Sequence, residues 1–102
     1  MGLTVAVTGP TGDIGKSVVR ALEAEVEVER VIGMARSPFE PAEHGWKRAE
    51  YHRGDILDRN SLHSLFAGVD VVVHLAFVIF GSHDETRKVN LEGTRNVFDA
   101  AV

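Results

Sequence analysis

The stretch "TGPTGDIGKS", Thr8 to Ser17, decides how the chain is read. From its start it reads T-G-x-x-G-x-x-G, a loop able to cradle the pyrophosphate of a dinucleotide. From its end it is nearly G-x-x-x-x-G-K-S, the loop that cradles a nucleoside triphosphate. Both loops join a strand to a helix, and both use the free N–H groups and positive dipole end of that helix to attract an anion. The triphosphate register requires glycine where Pro10 stands. It also requires an apolar strand ending in Asp to hold magnesium. The one comparable strand, "VVVHLA", ends without one. The dinucleotide register fits. Gly9 gives the tight turn, Gly12 lets backbone approach the pyrophosphate, and Gly15 lets the helix pack closely. A P-loop-like nucleotide binder is the reading left behind.

The flanks have the periodicity this register needs. "LTVAVTG" (Leu3 to Gly9) is short, apolar and β-branched, which is a buried strand. From Asp13 to Ala24 the period lengthens, and Ile14, Val18, Val19 and Leu22 fall on one helical face. "VERVIGMA" (Val28 to Ala35) is a second buried strand, and "EAEVEVE" before it reads as a solvated helix end and connector. Ser37 to Arg48 holds Pro38, Pro41 and Gly45 without a period, and is loop. "AEYHRGDI" carries a third short strand, and "DRNSLHSLF" a short helix capped by Asp58. "VDVVVHLAF" (Val69 to Phe77) is the strongest strand pattern. Asp84 to Val102 is helical, with Val89, Gly93, Val97 and Ala101 on one stripe. The order β-α-β-loop-β-α-β-α predicts an α/β fold: a Rossmann-like parallel sheet with helices on both faces, strand order 3-2-1-4, the N-terminal half only.

Composition bounds the rest. The 102 residues make one small domain, spanning 1–102. That length is enough to bury roughly two thirds of the unfolded surface. With 44% apolar and 25% charged residues the chain falls outside the disordered range. A net charge of −4 without a basic tract argues against nucleic acid and against anionic membranes. There is no cysteine, which excludes disulfides and thiolate metal sites. No apolar run approaches the roughly 20 residues of a membrane span, and no secretory signal is visible, so a cytoplasmic protein is expected. The five histidines lack ligand spacing, and "SHD" (Ser82 to Asp84) imitates a triad only along the chain. His74 ends a buried strand and reads as packed and hydrogen-bonded. Trp46 and Phe39 read as surface packing ahead of adenine stacking.

In sum, "VAVTGPTGDIG", "GMARS", "RGDILD", "GVDVVVHLAF" and "VNLEGTRNVFDAAV" occur in this order and cover essentially the whole chain. In this the sequence resembles the extended short-chain dehydrogenase/reductases, the NAD-dependent epimerase/dehydratase family. The resemblance implies an NAD(P)-binding portion of an epimerase, dehydratase or reductase. Gly9, Gly12 and Gly15 match the pyrophosphate loop, with Asp13 and Ile14 inside it. Asp55 and Ile56 match the pair that contacts adenine, and Ala76 matches the residue lining the cofactor after the fourth strand. Asn90 matches a structural helix asparagine. Arg36 stands where NAD-preferring members carry an acid for the ribose 2′-OH; its guanidinium suits a 2′-phosphate, so NADP is expected ahead of NAD. Pro10 and Asp13 depart from the pattern: one lacks an N–H, and the other puts a carboxylate near the phosphates.

The family's catalytic Tyr-x-x-x-Lys is absent. The only tyrosine, Tyr51, is followed four residues later by Asp55. No catalytic residue is therefore assigned. The chain reads as an N-terminal fragment, inactive alone, with small-molecule substrate bound only by a longer parent. A noncatalytic nucleotide-binding or interaction domain is the alternative. Without a fifth strand, the fourth strand or the last helix is expected to favour self-association.

Overall fold

The computed structural model describes residues 2–36, 41, 45–76 and 87–101. Strand β1 (Leu3–Thr8) leads into helix α1 (Asp13–Ala24) and strand β2 (Val28–Ala35). Then come β3 (Glu50–Arg53), α2 (Arg59–Phe66), β4 (Val71–His74), a π-helical turn (Val89–Gly93) and α3 (Thr94–Ala101). The sheet is parallel with order β3-β2-β1-β4, as the alternation of periods predicts. β2 and α1 have the predicted bounds. β4 is shorter than the apolar run that announced it, and Phe77 lies outside the described residues, as do Phe39, the "SHD" stretch and most of the predicted loop.

Alternation along β1 divides the core. Val5 and Val7 face α1 with Val19, Val28 and Val31. Ala6 faces the other side, where Met34, Ile56, Leu62, Phe66 and Val97 of β2, α2, α3 and the β3–α2 loop meet. Val7, Val19, Val31 and Val97 are fully buried, each worth about 1.5–3 kcal/mol of transfer free energy. Helices thus cover both faces of a sheet whose two central strands, β1 and β2, supply a buried apolar run each.

Local chemistry explains the ends. Asp58 caps α2: its Oδ1 accepts from the N–H groups of Asn60 (3.1 Å) and Ser61 (3.2 Å), and its Oδ2 from the Ser61 hydroxyl (2.8 Å). These bonds, the Ser61 hydroxyl first, hold its carboxyl below the ordinary value. Glu23 at the end of α1 accepts the N–H groups of Lys47, Arg48 and Ala49, while Arg48 donates to the carbonyls of Glu23, Val28 and Glu29. This clasp fixes the chain entering β3. Burial raises the Glu23 pKa, the three backbone N–H bonds outweigh it, and the net shift is downward.

Two details correct the sequence reading. Ile14, placed on the apolar face of α1, is 72% exposed, whereas Gly15 and Val19 are buried. It lies in the first turn, before the helix settles on the sheet, and α1 turns Gly15 inward there. On the last helix Gly93 and Val97 are buried but Ala101 is exposed. Ala100 packs on the core instead, because a 3.6-residue period drifts off a strict spacing of four. A Cβ on Gly93, at the end of the π turn, would lie 2.2 Å from Ile56 Cδ1, so the Ile56 side chain packs where only a glycine leaves room.

Candidate functional site

Because all four strands run parallel, their C-terminal ends share one edge of the sheet. The register sets Thr8 beside Met34 and His74, and Ala35 beside Arg53. Gly9, Arg36, Asp55 and Ala76 each follow one of these ends. They come from four different strands, and the topology alone brings them to one edge. The chain runs outward from β1 to β3 and then returns to β4 on the other side of β1. The switch in direction opens beside Gly9, where open α/β sheets bind ligands.

The three loop glycines meet different constraints. Gly9 has φ +72, a left-handed conformation, and a Cβ there would lie 2.7 Å from the Leu75 carbonyl carbon and oxygen. A Cβ on Gly15 would lie 2.1 Å from the Gly9 oxygen and 2.7 Å from Pro10 Cα. It is the loop itself that α1 approaches here, more closely than any side chain permits. Gly12 is the reverse case. It is the N-cap of α1, makes no side-chain cap, and a Cβ there would meet nothing within 4 Å. The fold requires Gly9 and Gly15; among the described residues nothing requires Gly12. Pro10 is buried and rests on Gly33, where the Trp46 ring also converges, so it wedges the loop from behind. Asp13 and Ile14 are exposed at the loop's mouth.

An open cleft of about 410 Å³ lies beyond the ends of β2 and β3, lined by Arg36, Arg53, Gly54, Asp55, Asp58 and Ser61. Arg36 is exposed, and its carbonyl accepts from Arg53 Nε at 2.9 Å. Asp55 Oδ1 closes a turn on the Leu57 N–H (2.9 Å), and Ile56 is buried with its carbonyl accepting from Asn96 Nδ2 (3.1 Å). A larger groove of about 570 Å³ along β3 and α2 is lined by none of the residues selected from sequence.

His74, read from sequence as packed and hydrogen-bonded, is so, and its partners, which the sequence did not name, form a polar network at the switch point. Thr8, fully buried, has its hydroxyl oxygen 2.6 Å from His74 Nδ1; His74 Nε2 lies 2.9 Å from the Thr94 hydroxyl. The N–H groups of Leu75 (3.1 Å) and Ala76 (3.3 Å) also converge on the Thr8 hydroxyl. Burial holds the His74 imidazole below the ordinary histidine pKa, so it is neutral near pH 7. The signal in the sequence is a polar residue at the C-terminal end of each of two apolar runs; which residues those pair with is a matter of register.

Other side chains have structural surroundings. Trp46 packs on the α1-side core and lies edge-on to Tyr51, ring centroids 6.2 Å apart. Burial raises the Tyr51 pKa. Among the described residues no cluster of His, Cys, Asp and Glu could hold a metal ion, and no helix is long and apolar enough to cross a membrane.

Residues 5–102 match the model of the NAD dependent epimerase/dehydratase family. Cinnamoyl-CoA reductase 1 of Oryza sativa subsp. japonica is 36% identical over 104 residues, covering 95% of this chain and 30% of that protein. L-arabinose 1-dehydrogenase (NAD(P)(+)) of Haloferax volcanii is 31% identical over 100 residues, covering 96% and 35%. A crystal structure of a uronate dehydrogenase variant from Agrobacterium tumefaciens, complexed with NAD, superposes with a TM-score of 0.79 at 26% identity, covering 99% and 37%. The chain spans about a third of the length of these relatives. Glycine loop, parallel sheet, strand order and sequence match agree, and the chain belongs to the NAD dependent epimerase/dehydratase family.

Proposed function

We propose that this chain binds the adenosine and pyrophosphate half of a dinucleotide, as the NAD(P)-binding portion of an oxidoreductase or epimerase of the extended short-chain type. The observation that carries the reading is Gly12: a helix N-cap without a side chain, open to the outside, at the switch point of a parallel sheet. The N-terminus of α1 receives the pyrophosphate, with Gly9 and Gly15 shaping the loop and Asp13 and Ile14 at its mouth. Asp55 Oδ2 takes the adenine amine, the backbone of Ile56 takes a ring nitrogen, and Ala76 lines the cofactor beyond β4. The NAD(P)(+) of the arabinose dehydrogenase and the NAD bound to the uronate dehydrogenase variant support a nicotinamide dinucleotide. Substrate contacts and a catalytic Tyr-x-x-x-Lys belong, in this reading, to a longer cytoplasmic parent.

Arg36 directs the choice of cofactor to NADP. It edges the cleft beyond the ends of β2 and β3, the side this reading gives to the adenosine ribose, and a guanidinium pairs with a phosphate in two parallel hydrogen bonds. Titration calorimetry with NAD, NADP and 2′,5′-ADP is expected to rank NADP above NAD. Arg36→Asp is expected to reverse the order, by about tenfold or more in the ratio. Tighter binding of NAD by the unmodified chain overturns the NADP assignment.

Self-association is part of the same reading. Among the described strands β4 pairs only with β1. The helical segment packed beside it exposes Leu91 (53%) and Phe98 (61%). An apolar edge of this kind recruits further strands. Light scattering of the 102-residue chain is expected to give a mass above the monomer's, and a monodisperse monomer overturns the expectation.

A further inference from the structure

The sequence points to Arg36 alone for the 2′ position of the ribose, yet two arginines line the cleft beyond β2 and β3. Arg53 ends β3 as Ala35 ends β2, and the parallel register sets these two residues side by side. Arg36 follows Ala35, so the two arginines come from neighbouring strand ends. Both are exposed.

The hydrogen bonds of the cleft sort its charges. A guanidinium has five N–H donors in one plane. Arg53 spends its Nε donor on the Arg36 carbonyl, at 2.9 Å. That leaves its two terminal nitrogens, whose paired N–H groups match two oxygens of a phosphate. With Nε tied to the main chain, the side chain has less freedom to lose on meeting an anion. Two carboxylates share the cleft, those of Asp55 and Asp58. Asp55 Oδ1 accepts the Leu57 N–H, and Asp58 uses both oxygens on Asn60 and Ser61. Among the described residues neither carboxylate forms an ion pair with Arg36 or Arg53. Arg30, near the start of β2, is by contrast paired with Glu50 through Nη2 and Oε1 at 2.9 Å. Two cations thus share one cleft without a contacting acid, and their repulsion is relieved by a group of high negative charge. A phosphomonoester, with about −1.5 to −2 charges near pH 7, is such a group.

We propose, on the dinucleotide-binding reading and its choice of NADP, that Arg53 is a second specificity-determining residue. Its Nε fixes the backbone of Arg36, and its terminal N–H groups take the 2′-phosphate of the adenosine ribose together with the Arg36 guanidinium. Selectivity for the phosphorylated ribose then comes from two strand ends at once.

The probes are 5′-AMP and 2′,5′-ADP, which differ only in the 2′-phosphate. In titration calorimetry the unmodified chain is expected to bind 2′,5′-ADP the more tightly. Arg53→Gln is expected to weaken 2′,5′-ADP by about tenfold and 5′-AMP by no more than about threefold. A loss of at least about threefold in 2′,5′-ADP affinity is expected to persist when Arg53→Gln is made on an Arg36→Ala background, because each guanidinium makes bonds of its own. A loss that vanishes on that background means that Arg53 acts only by holding Arg36, and overturns the direct contact. Equal losses for the two probes, or no loss, overturn it too. A second measurement needs no variant. In nitrogen–proton spectra of the arginine side chains of the unmodified protein, 2′,5′-ADP is expected to shift the terminal N–H groups of Arg53 and 5′-AMP to leave them in place. The same response to both probes overturns the proposal even if Arg53→Gln does not fold. Equal affinity of the unmodified chain for both probes removes the role of Arg53 and leaves the dinucleotide reading standing; binding of neither removes both.

Discussion

Gly15→Ala is expected to destabilise the protein by about 2–3 kcal/mol, a large share of the total for a domain of this size. Two effects of opposite sign compete. Alanine in a helix interior is favoured over glycine by about 1 kcal/mol. Against that, the new Cβ would lie 2.1 Å from the Gly9 oxygen, 2.7 Å from Pro10 Cα and 2.8 Å from the Pro10 carbonyl carbon. All three are backbone atoms of a loop wedged from behind by Gly33 and Trp46, so no rotamer change relieves the clash. The helix must lift off the loop, taking Val19 with it. Urea denaturation measures the outcome through the midpoint at constant slope. A midpoint unchanged or raised would mean that propensity wins and that the close approach is not required.

Gly12→Val is expected to do the opposite. The fold loses at most about 1 kcal/mol, the scale of a changed N-cap, because the backbone at Gly12 is extended (φ −76, ψ 174) and its Cβ position is empty. NADP and NAD affinity is expected to fall at least tenfold, about 1.4 kcal/mol, since the branched side chain occupies the approach of the pyrophosphate. Denaturation and calorimetry on one sample separate the two quantities. Unchanged affinity would sink the assignment of the phosphates to the N-terminus of α1. The pair of substitutions divides the glycine motif into one position the fold needs and one position the ligand needs.

The elements legible in the sequence were those specified by neighbours in the chain. β2 has its predicted bounds because a charged connector precedes its apolar run and a proline-bearing loop follows it. Asp58 caps α2 through Asn60 and Ser61, two and three places along the chain. Strand order followed from alternation of strand and helix, since right-handed crossovers leave few alternatives. What escaped depends on contacts between distant residues. The exposure of Ile14 is set by how α1 lands on the sheet. The need for glycine at Gly93 is set by the side chain of Ile56 packed against it. The link from Thr8 to His74 joins residues 66 apart, and nothing near either one announces it. At the candidate site the sequence named the residues at each strand end. Their convergence on one edge follows from the parallel order; the cleft that brings Arg36 to Asp55 required the register of the sheet.

The packing of Pro10 and Trp46 on Gly33 has an optical consequence. Trp46 is the only tryptophan in the chain. Its ring reaches the same point of β2 as the buried proline of the glycine loop, and Tyr51 stands edge-on behind it. The molecule therefore carries an intrinsic fluorophore against the rear of its phosphate loop. Any ligand that shifts or stiffens that loop alters the surroundings of the indole from the far side, without touching it. A ligand at the proposed site is expected to change the emission of the unlabelled protein, without quenching by a bound nicotinamide.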